Sequence, residues 1–307
     1  MILSVCPNPC IDCTMELEQL NVGQLNRVSN KIVTYSGKAL NSAIGVKRLG
    51  GDSFATGFMY DNEGSLFQTN LDNEGVKSSF IWNKGSVRTN YKIVDNKSML
   101  TEINDRGEEV CLENQQKLIN LVQTLSKSAQ VVIMSGSLPN GVENDYYYKL
   151  AKSLKKGVKI IVDTEGEKLT SAIRAGVYLV KPNLMELEYI VGKKLSTKKE
   201  MLSACNFLID GGAENVLLSL GRQGAILTNG RNSYFCKSAA VAVNSTVGAG
   251  DSMVAAASVM IEQGASDEEI LRCAVAAGTA SITTPGTNLF YRDKFEEIYG
   301  KIFVDKA

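Results

Sequence analysis

From about residue 129 the chain alternates short apolar runs with amphipathic stretches: VVIM at 131–134, KIIV at 159–162, VYLV at 177–180 and VLLSL at 216–220. That alternation predicts strands and helices wound into a parallel sheet. Each run is followed by polar or glycine-containing residues: SGSLP, DTEG, KPNLME and GRQG. Open parallel sheets bind ligands at the carboxyl edge of their strands, so these segments mark the expected site.

The first half has a different texture. Residues 1–5 read as a first strand, and helical periodicity is visible at 38–49 and 63–74. Residues 11–35 and 86–104 read instead as short alternating strands, VRTNYKIV being one. These two segments, far apart in sequence, are expected to form one small β sheet over the pocket. From Asp267 onward the pattern predicts two or three helices, broken at Pro285 and Gly286. No Pro-rich or Gly/Ser-rich linker, low-complexity tract or internal repeat interrupts the chain.

Its 307 residues, 44% hydrophobic, suffice for one large α/β domain or two ordinary ones and argue against disorder. Basic and acidic residues balance at 33 each, which gives no reason to expect a nucleic-acid or membrane partner. No apolar run approaches the ~18 residues of a membrane span, and MILSV lacks the features of a signal peptide. Seven scattered cysteines then suggest reduced thiols and a cytoplasmic setting. Cys10 and Cys13 form the single CxxC pair weighed for redox or zinc use. With no histidine in the chain and no second CxxC, small residues packed around Asp12 are the better reading. The absence of histidine also confines acid–base chemistry to carboxylates, Lys, Tyr and Cys.

NSTVGAGDSMVAAASVM at 244–260 sets a Gly-Ala-Gly turn against one carboxylate where a small-residue helix begins. Two readings stand. Asp251 or Ser252 caps the helix, accepting from the free N–H groups of its first turn. Alternatively, the glycines gather N–H groups into an anion site and Asp251 is a base that meets an attacking hydroxyl beside a phosphate in transfer. No Walker sequence is present, and VGAGDSM lacks the third glycine of a dinucleotide fingerprint.

NPCID at 8–12, SGKALN at 36–41, SGSLP at 135–139, KPNLMELE at 181–188, SLGRQGA at 219–225 and TVGAGDS at 246–252 follow one another in a familiar order. Across nearly the whole length the chain resembles the ribokinase-like sugar kinases of the phosphofructokinase B type, closest to the 1-phosphofructokinase and tagatose-6-phosphate kinase branch. The resemblance implies a single α/β domain over 1–307, three-layered α/β/α, with a small β-sheet lid from about 11–35 and 86–104. Lids commonly pair subunits, which implies a homodimer.

It further implies that Asp251 is the base, with Gly248, Ala249 and Gly250 forming a hole for charge on the moving phosphoryl group. ATP and Mg²⁺ are the implied cofactors. Asn183 and Glu186 would hold the metal through water, and Lys181 would reach the phosphates. Ser219, Gly221 and Gly224 would line the nucleotide site, with Gly278 and Ser281 near adenine. Asp12 would meet sugar hydroxyls, with Gly37, Lys38, Asn41 and Ser137 around the sugar. Arg88 would clamp the phosphate the substrate already carries, and Arg27 is a weaker candidate for that role.

One departure stands out. The family's Gly-Gly-Lys-Gly-x-Asn appears as Ser36-Gly37-Lys38-Ala39-Leu40-Asn41, adding a Cβ at two places. If either requires a positive φ, the loop or the substrate fit must change. The implied reaction is ATP-dependent phosphorylation of a ketohexose phosphate, with fructose 1-phosphate expected first and tagatose 6-phosphate second. A sugar-phosphate or nucleotide sensor without turnover and a Cys10/Cys13 redox protein are the competing classes.

Overall fold

The computed structural model of the chain describes residues 1–97, 99–284 and 289–307; Pro285 and Gly286, expected to break the C-terminal helices, lie outside them. Numbered along the chain, the strands are β1 (Ile2–Cys6), β2 (Cys10–Glu16), β3 (Asn30–Ser36), β4 (Ser53–Asn62), β5 (Lys77–Ser86), β6 (Arg88–Val94), β7 (Leu100–Asn104), β8 (Val131–Ser135), β9 (Lys159–Asp163), β10 (Val177–Val180), β11 (Ala213–Ser219), β12 (Ala225–Thr228), β13 (Ser233–Cys236) and β14 (Val304–Lys306). One sheet runs β14-β13-β12-β11-β10-β9-β8-β1-β4-β5, and a second runs β3-β2-β6-β7.

The apolar runs that opened the sequence reading are β8 to β11. They pair in parallel because β8, β9 and β10 are each followed by helical chain that returns to the same edge before the next strand begins. Both faces of these strands are buried. On β8, Val131 and Ile133 join one core while Val132 and Met134 join the other, as strand alternation requires. Helices Lys38–Arg48, Ala249–Gln263 and Asp267–Ser281 cover the first face; Leu112–Leu125, Tyr146–Ser153 and Lys198–Asp210 cover the second. The result is a three-layer α/β/α fold with a small separate sheet.

The C-terminal tail departs from expectation. After helices Asp267–Ser281 and Arg292–Tyr299 it ends in β14, which pairs antiparallel with β13 at the sheet edge. Val304–Lys306 holds one apolar residue and two charged ones, so pairing with β13 rather than hydrophobic alternation makes it a strand.

Strand order places the site. From β1 the chain builds outward through β4 and β5, and from β8 it builds the opposite way through β9, β10 and β11. The reversal opens a crevice beyond the carboxyl ends of β1 and β8. The small sheet stands over that crevice and is two-faced. In register, Asp12, Asn90 and Asn104 line the cleft, whereas Val33, Tyr91 and Ile103 lie on the outer face, 43%, 42% and 57% exposed.

Close approach of β4 to β1 depends on Gly57, whose φ is +152° and at which an added Cβ would fall 1.8 Å from the Cys6 carbonyl oxygen. Gly57→Ala is expected to destabilise the fold by at least ~2 kcal/mol, read as a lower midpoint of denaturant unfolding. An unchanged midpoint would mean that the two strands separate without cost.

Candidate active site

The crevice is a cleft of about 820 Å³. At its centre Ala249–Gln263 begins, with Gly248 in the left-handed region at its N-cap and no side chain capping it. The capping reading of Asp251 and Ser252 therefore fails. Ser252 Oγ donates to the Gly248 carbonyl at 2.8 Å, and the Asp251 carboxylate turns away from its own helix to accept from Asn41 Nδ2 at 2.7 Å. Ser42 Oγ adds a bond to the Asp251 carbonyl, 3.2 Å, which fastens helix Lys38–Arg48 to this turn.

Asp251 is 7% exposed. Burial pushes its carboxyl up to about 6, with the Asp163 charge adding to the rise while Lys38, the Asn41 bond and Lys181 oppose it. A group near 6 is a better proton acceptor that is still largely ionised at neutral pH.

Asp163 was not singled out by sequence reasoning. It closes β9, is 1% exposed, and pairs with Lys181 Nζ at 3.2 Å and Lys38 Nζ at 3.7 Å, while Ser135 Oγ donates to it at 3.2 Å. Burial raises its pKa, yet the two lysines outweigh burial and hold it below the usual carboxylate range. The Asp163 charge in turn holds the Lys38 ammonium above its ordinary value against the effect of burial. Lys38 sits deep in the cleft and still leaves 43% of its side chain accessible, because the cleft itself is open. Lys181 Nζ abuts the Gly-Ala-Gly turn: a Cβ at Gly250 would lie 3.1 Å from it. Two cations therefore flank the N–H groups of the helix start, an arrangement suited to a polyphosphate.

Toward the small sheet, Asp12 is buried against Lys92, with Nζ to Oδ2 at 3.1 Å, and accepts from Asn90 Nδ2 at 3.3 Å. Arg88 Nη1 donates to Asn90 Oδ1 and the Asp105 carbonyl, and Nη2 donates to the Asn8 carbonyl. Its Nε is buried without a hydrogen-bond partner. Asn8 Nδ2 donates to Ser137 Oγ at 3.1 Å and so joins the loop after β1 to the loop after β8. Asn8, Asn90, Lys92 and Arg106 all line the cleft and were missed in the sequence, where a lone polar residue carries no distinguishing signal, whether on an alternating strand, as Asn90 and Lys92 are, or in a loop, as Asn8 and Arg106 are.

At the other end, Ser219, Gly221, Gly224 and Gly278 line the cleft beside apolar Val243, Val247 and Val275. Two expected residues are not brought in. Ser281 is fully buried in its helix, away from the lining, and Arg27 is exposed in the irregular stretch between β2 and β3. Neither helical register nor strand pairing turns them inward.

Asn183 and Glu186 form a reciprocal capping box at the start of Leu184–Val191: Asn183 Oδ1 accepts from Glu186 N and Glu186 Oε2 accepts from Asn183 N, both at 2.8 Å. The pair thus caps its own helix, and among the described residues no hydrogen bond engages Glu186 Oε1. Among the described residues no cluster of three or more acidic, Cys or His side chains forms a protein cage for a metal. The donor set suits a cation held through water and by phosphate oxygens.

Ser36 and Ala39 cause no strain. Ser36 ends β3 and Ala39 lies in the first turn of Lys38–Arg48, while the positive φ of the loop, +151°, falls on Gly37. A Cβ at Gly37 would meet Cys6 Sγ at 2.8 Å. The Ser36 hydroxyl is instead put to use, accepting from Asn41 Nδ2 at 3.2 Å. Cys10 and Cys13, three apart on β2, point to opposite faces and are both unpaired, and burial pushes the Cys10 thiol well up. On opposite faces the two sulfurs cannot bridge, and Cys10 is disfavoured as a thiolate.

This arrangement has close counterparts. A 1-phosphofructokinase from Borreliella burgdorferi is 33% identical over 283 residues, 92% of this chain and 91% of that protein. A tagatose-6-phosphate kinase from Staphylococcus epidermidis is 32% identical over 309 residues, 99% of each. Among solved structures, phosphofructokinase-2 from Escherichia coli in complex with fructose-6-phosphate superposes with a TM-score of 0.89 at 28% identity, covering 98% of each chain. The family model for pfkB family carbohydrate kinases matches residues 7–294, and the chain belongs to that family.

Proposed function

We propose that this protein transfers the γ-phosphoryl group of ATP to a hydroxyl of a phosphorylated ketohexose, fructose 1-phosphate giving fructose 1,6-bisphosphate. Tagatose 6-phosphate is the second candidate acceptor. The observation that carries the reading is the Asp251 carboxylate, buried, raised to about 6 and held by Asn41 beside a helix start flanked by Lys38 and Lys181. The similar proteins named 1-phosphofructokinase and tagatose-6-phosphate kinase support the acceptor class.

In this reading the substrate oxygen forms a bond to the γ-phosphorus as the bond to the ADP oxygen breaks, and the hydroxyl proton passes to Asp251. Proton transfer late in the step contributes ~10²–10⁴ in rate, while positioning and electrostatic stabilisation supply the rest. Gly248, Ala249 and Gly250 present backbone N–H groups to the developing charge. Lys181 steadies the transferring phosphoryl group from the nucleotide side and Lys38 from the sugar side. Ser219, Gly221, Gly224 and Gly278 shape the nucleotide end, and Asp12, Gly37, Asn41, Arg88 and Ser137 the sugar end.

Mg²⁺ neutralises phosphate charge when bound, and Glu186 with Asn183 would hold it through water. The small sheet acts as a lid. Its exposed apolar outer face fits pairing with a second copy as a homodimer. Seven unpaired cysteines accord with a cytoplasmic enzyme, and no helix among the described residues is long and apolar enough to cross a membrane.

The acceptor is tested by ranking fructose 1-phosphate, fructose 6-phosphate, tagatose 6-phosphate, fructose and ribose by kcat/KM. The phosphorylated ketohexoses are expected to lead, because a free sugar leaves the cations of the pocket unpaired. Efficient use of free fructose or ribose with poor use of every phosphate would overturn the acceptor class. Absence of turnover despite ATP binding would favour a sensor.

Asp251→Asn should lower kcat by about two to four orders of magnitude. Its effect on stability has the opposite sign. Burial raises the folded-state pKa of Asp251 to about 6, from an unfolded value of ~3.9. The folded chain therefore holds this proton more tightly, and the resulting stabilisation, complete below pH ~4, is lost as pH rises through ~6. At pH 7 the neutral amide should make the variant more stable, by up to about 3 kcal/mol. Wild-type kcat/KM should fall on the acid side with a midpoint near 6. An asparagine variant that is both inactive and less stable at pH 7 would contradict the assignment.

For the metal, Glu186→Gln keeps an acceptor for the capping box and removes the charge. It should melt near the wild-type temperature while requiring several-fold more Mg²⁺ for half-maximal rate; an unchanged Mg²⁺ dependence would exclude Glu186.

A further inference from the structure

Asp12 and Lys92 are an ion pair in the wall of the cleft, with side chains only 5% and 7% exposed. They stand on neighbouring parallel strands, where Asp12 lies opposite Asn90 and Lys92 opposite Thr14, so both project from the cleft face of the small sheet. Asn90 Nδ2 donates to Asp12 Oδ1 at 3.3 Å and Lys92 Nζ reaches Oδ2 at 3.1 Å, which fixes the carboxylate from two sides. Cys10 Sγ lies 3.8 Å from Oδ1, and Glu102 faces Lys92 from β7. Lys92 is absent from the roles assigned above.

A buried ion pair is a poor device for stability alone, because apolar side chains of similar volume usually serve as well or better. On the wall of a ligand cleft it has a chemical use. An ionised carboxylate only accepts hydrogen bonds and an ammonium only donates them. Held side by side, they match two neighbouring oxygens of a polyol, one hydroxyl donating to Asp12 and the next accepting from Lys92. A second anion placed there would face the Asp12 charge, so the pair favours hydroxyls over phosphate at this spot.

We propose that Lys92 is a specificity-determining residue: together with Asp12 it reads two adjacent hydroxyl groups of the acceptor sugar and so selects their configuration. The inference rests on the sugar-phosphate kinase reaction proposed above and adds to it the residue that discriminates between ketohexose epimers. Arg88 and Lys38 would hold the phosphate-bearing substrate without distinguishing those epimers.

The test compares wild type with Lys92→Met on the preferred ketohexose phosphate, on deoxy analogues lacking one ring hydroxyl at a time, and on the fructose and tagatose phosphates. In the wild type, loss of a hydroxyl read by the pair should cost at least ~10-fold in kcat/KM, since a site built to hydrogen-bond that group is left unpaired. In Lys92→Met the same penalty should shrink to less than about threefold, with KM for ATP within about twofold of wild type. A side chain that merely supports the fold would lower all rates together and leave the penalty intact.

Lys92→Met leaves Asp12 without its cation and can unfold the lid, so Lys92→Arg is assayed alongside it. Arginine keeps the charge but moves the donors, and should change the fructose-to-tagatose ratio of kcat/KM by at least about threefold. Unchanged deoxy penalties in Lys92→Met, or an unchanged epimer ratio in a folded Lys92→Arg, would overturn the role of Lys92 while leaving the reaction standing. If the wild type turns over no ketohexose phosphate at all, the reaction falls and this inference with it.

Discussion

The burial of one carboxylate, Asp163, organises the cleft. At 1% exposure it would be untenable alone, because an unpaired buried ion costs several kcal/mol even after relaxation. Lys181, from the turn after β10, and Lys38, from the first turn of Lys38–Arg48, converge on it. Fixing Lys38 fixes the phase of that helix, and Asn41, one turn on, is thereby presented to Asp251. Three segments distant in sequence are joined through one charge. Packing alone specifies such a rotation less sharply than a directional polar network does.

The charges of this centre explain its readiness for a polyphosphate. Lys38 and Lys181 oppose Asp163 and Asp251, so the group is neutral when Asp251 is ionised and carries one net positive charge when it is protonated. An incoming phosphate group favours the protonated form of Asp251, and the two lysines limit that tendency. Burial and Asp163 raise the Asp251 pKa far enough to make its carboxylate a better proton acceptor, while Lys38, Asn41 and Lys181 limit the rise. Capping a helix would need neither balance.

Much of the architecture was legible in the sequence because β8 to β11 bury both faces and appear as unbroken apolar runs. The Gly-Ala-Gly-Asp turn was legible too, since glycine spacing and a lone acid at a helix start have a narrow range of uses. Asp163 was not. An aspartate ending a strand looks the same whether it faces solvent or two lysines, and its partners are declared only by the fold. β14 was hidden for a related reason, its pairing being dictated by β13. Arg27 and Ser281 carried a plausible residue type in a plausible place, yet their local backbone turns them away from the cleft. The added Cβ atoms at Ser36 and Ala39 looked disruptive until the positive φ was found on Gly37.

The cost of this site falls on the fold. Asp251 occupies the first turn of Ala249–Gln263, where the helix field favours a negative charge, yet it lies close enough to Asp163 and deep enough in the cleft to be less easily ionised than a solvated aspartate. The surrounding helices compensate by close packing of small residues: a Cβ added at Gly45 would come within 2.7 Å of the Ala255 Cβ, so Lys38–Arg48 and Ala249–Gln263 meet nearly backbone to backbone. That contact leaves little room for the Asp251 carboxylate to swing toward solvent, because the helix that carries it and the helix that binds it cannot separate without opening the core. The small-residue sequence that announced a helix start therefore also holds the Asp251 carboxylate in an environment it would otherwise leave.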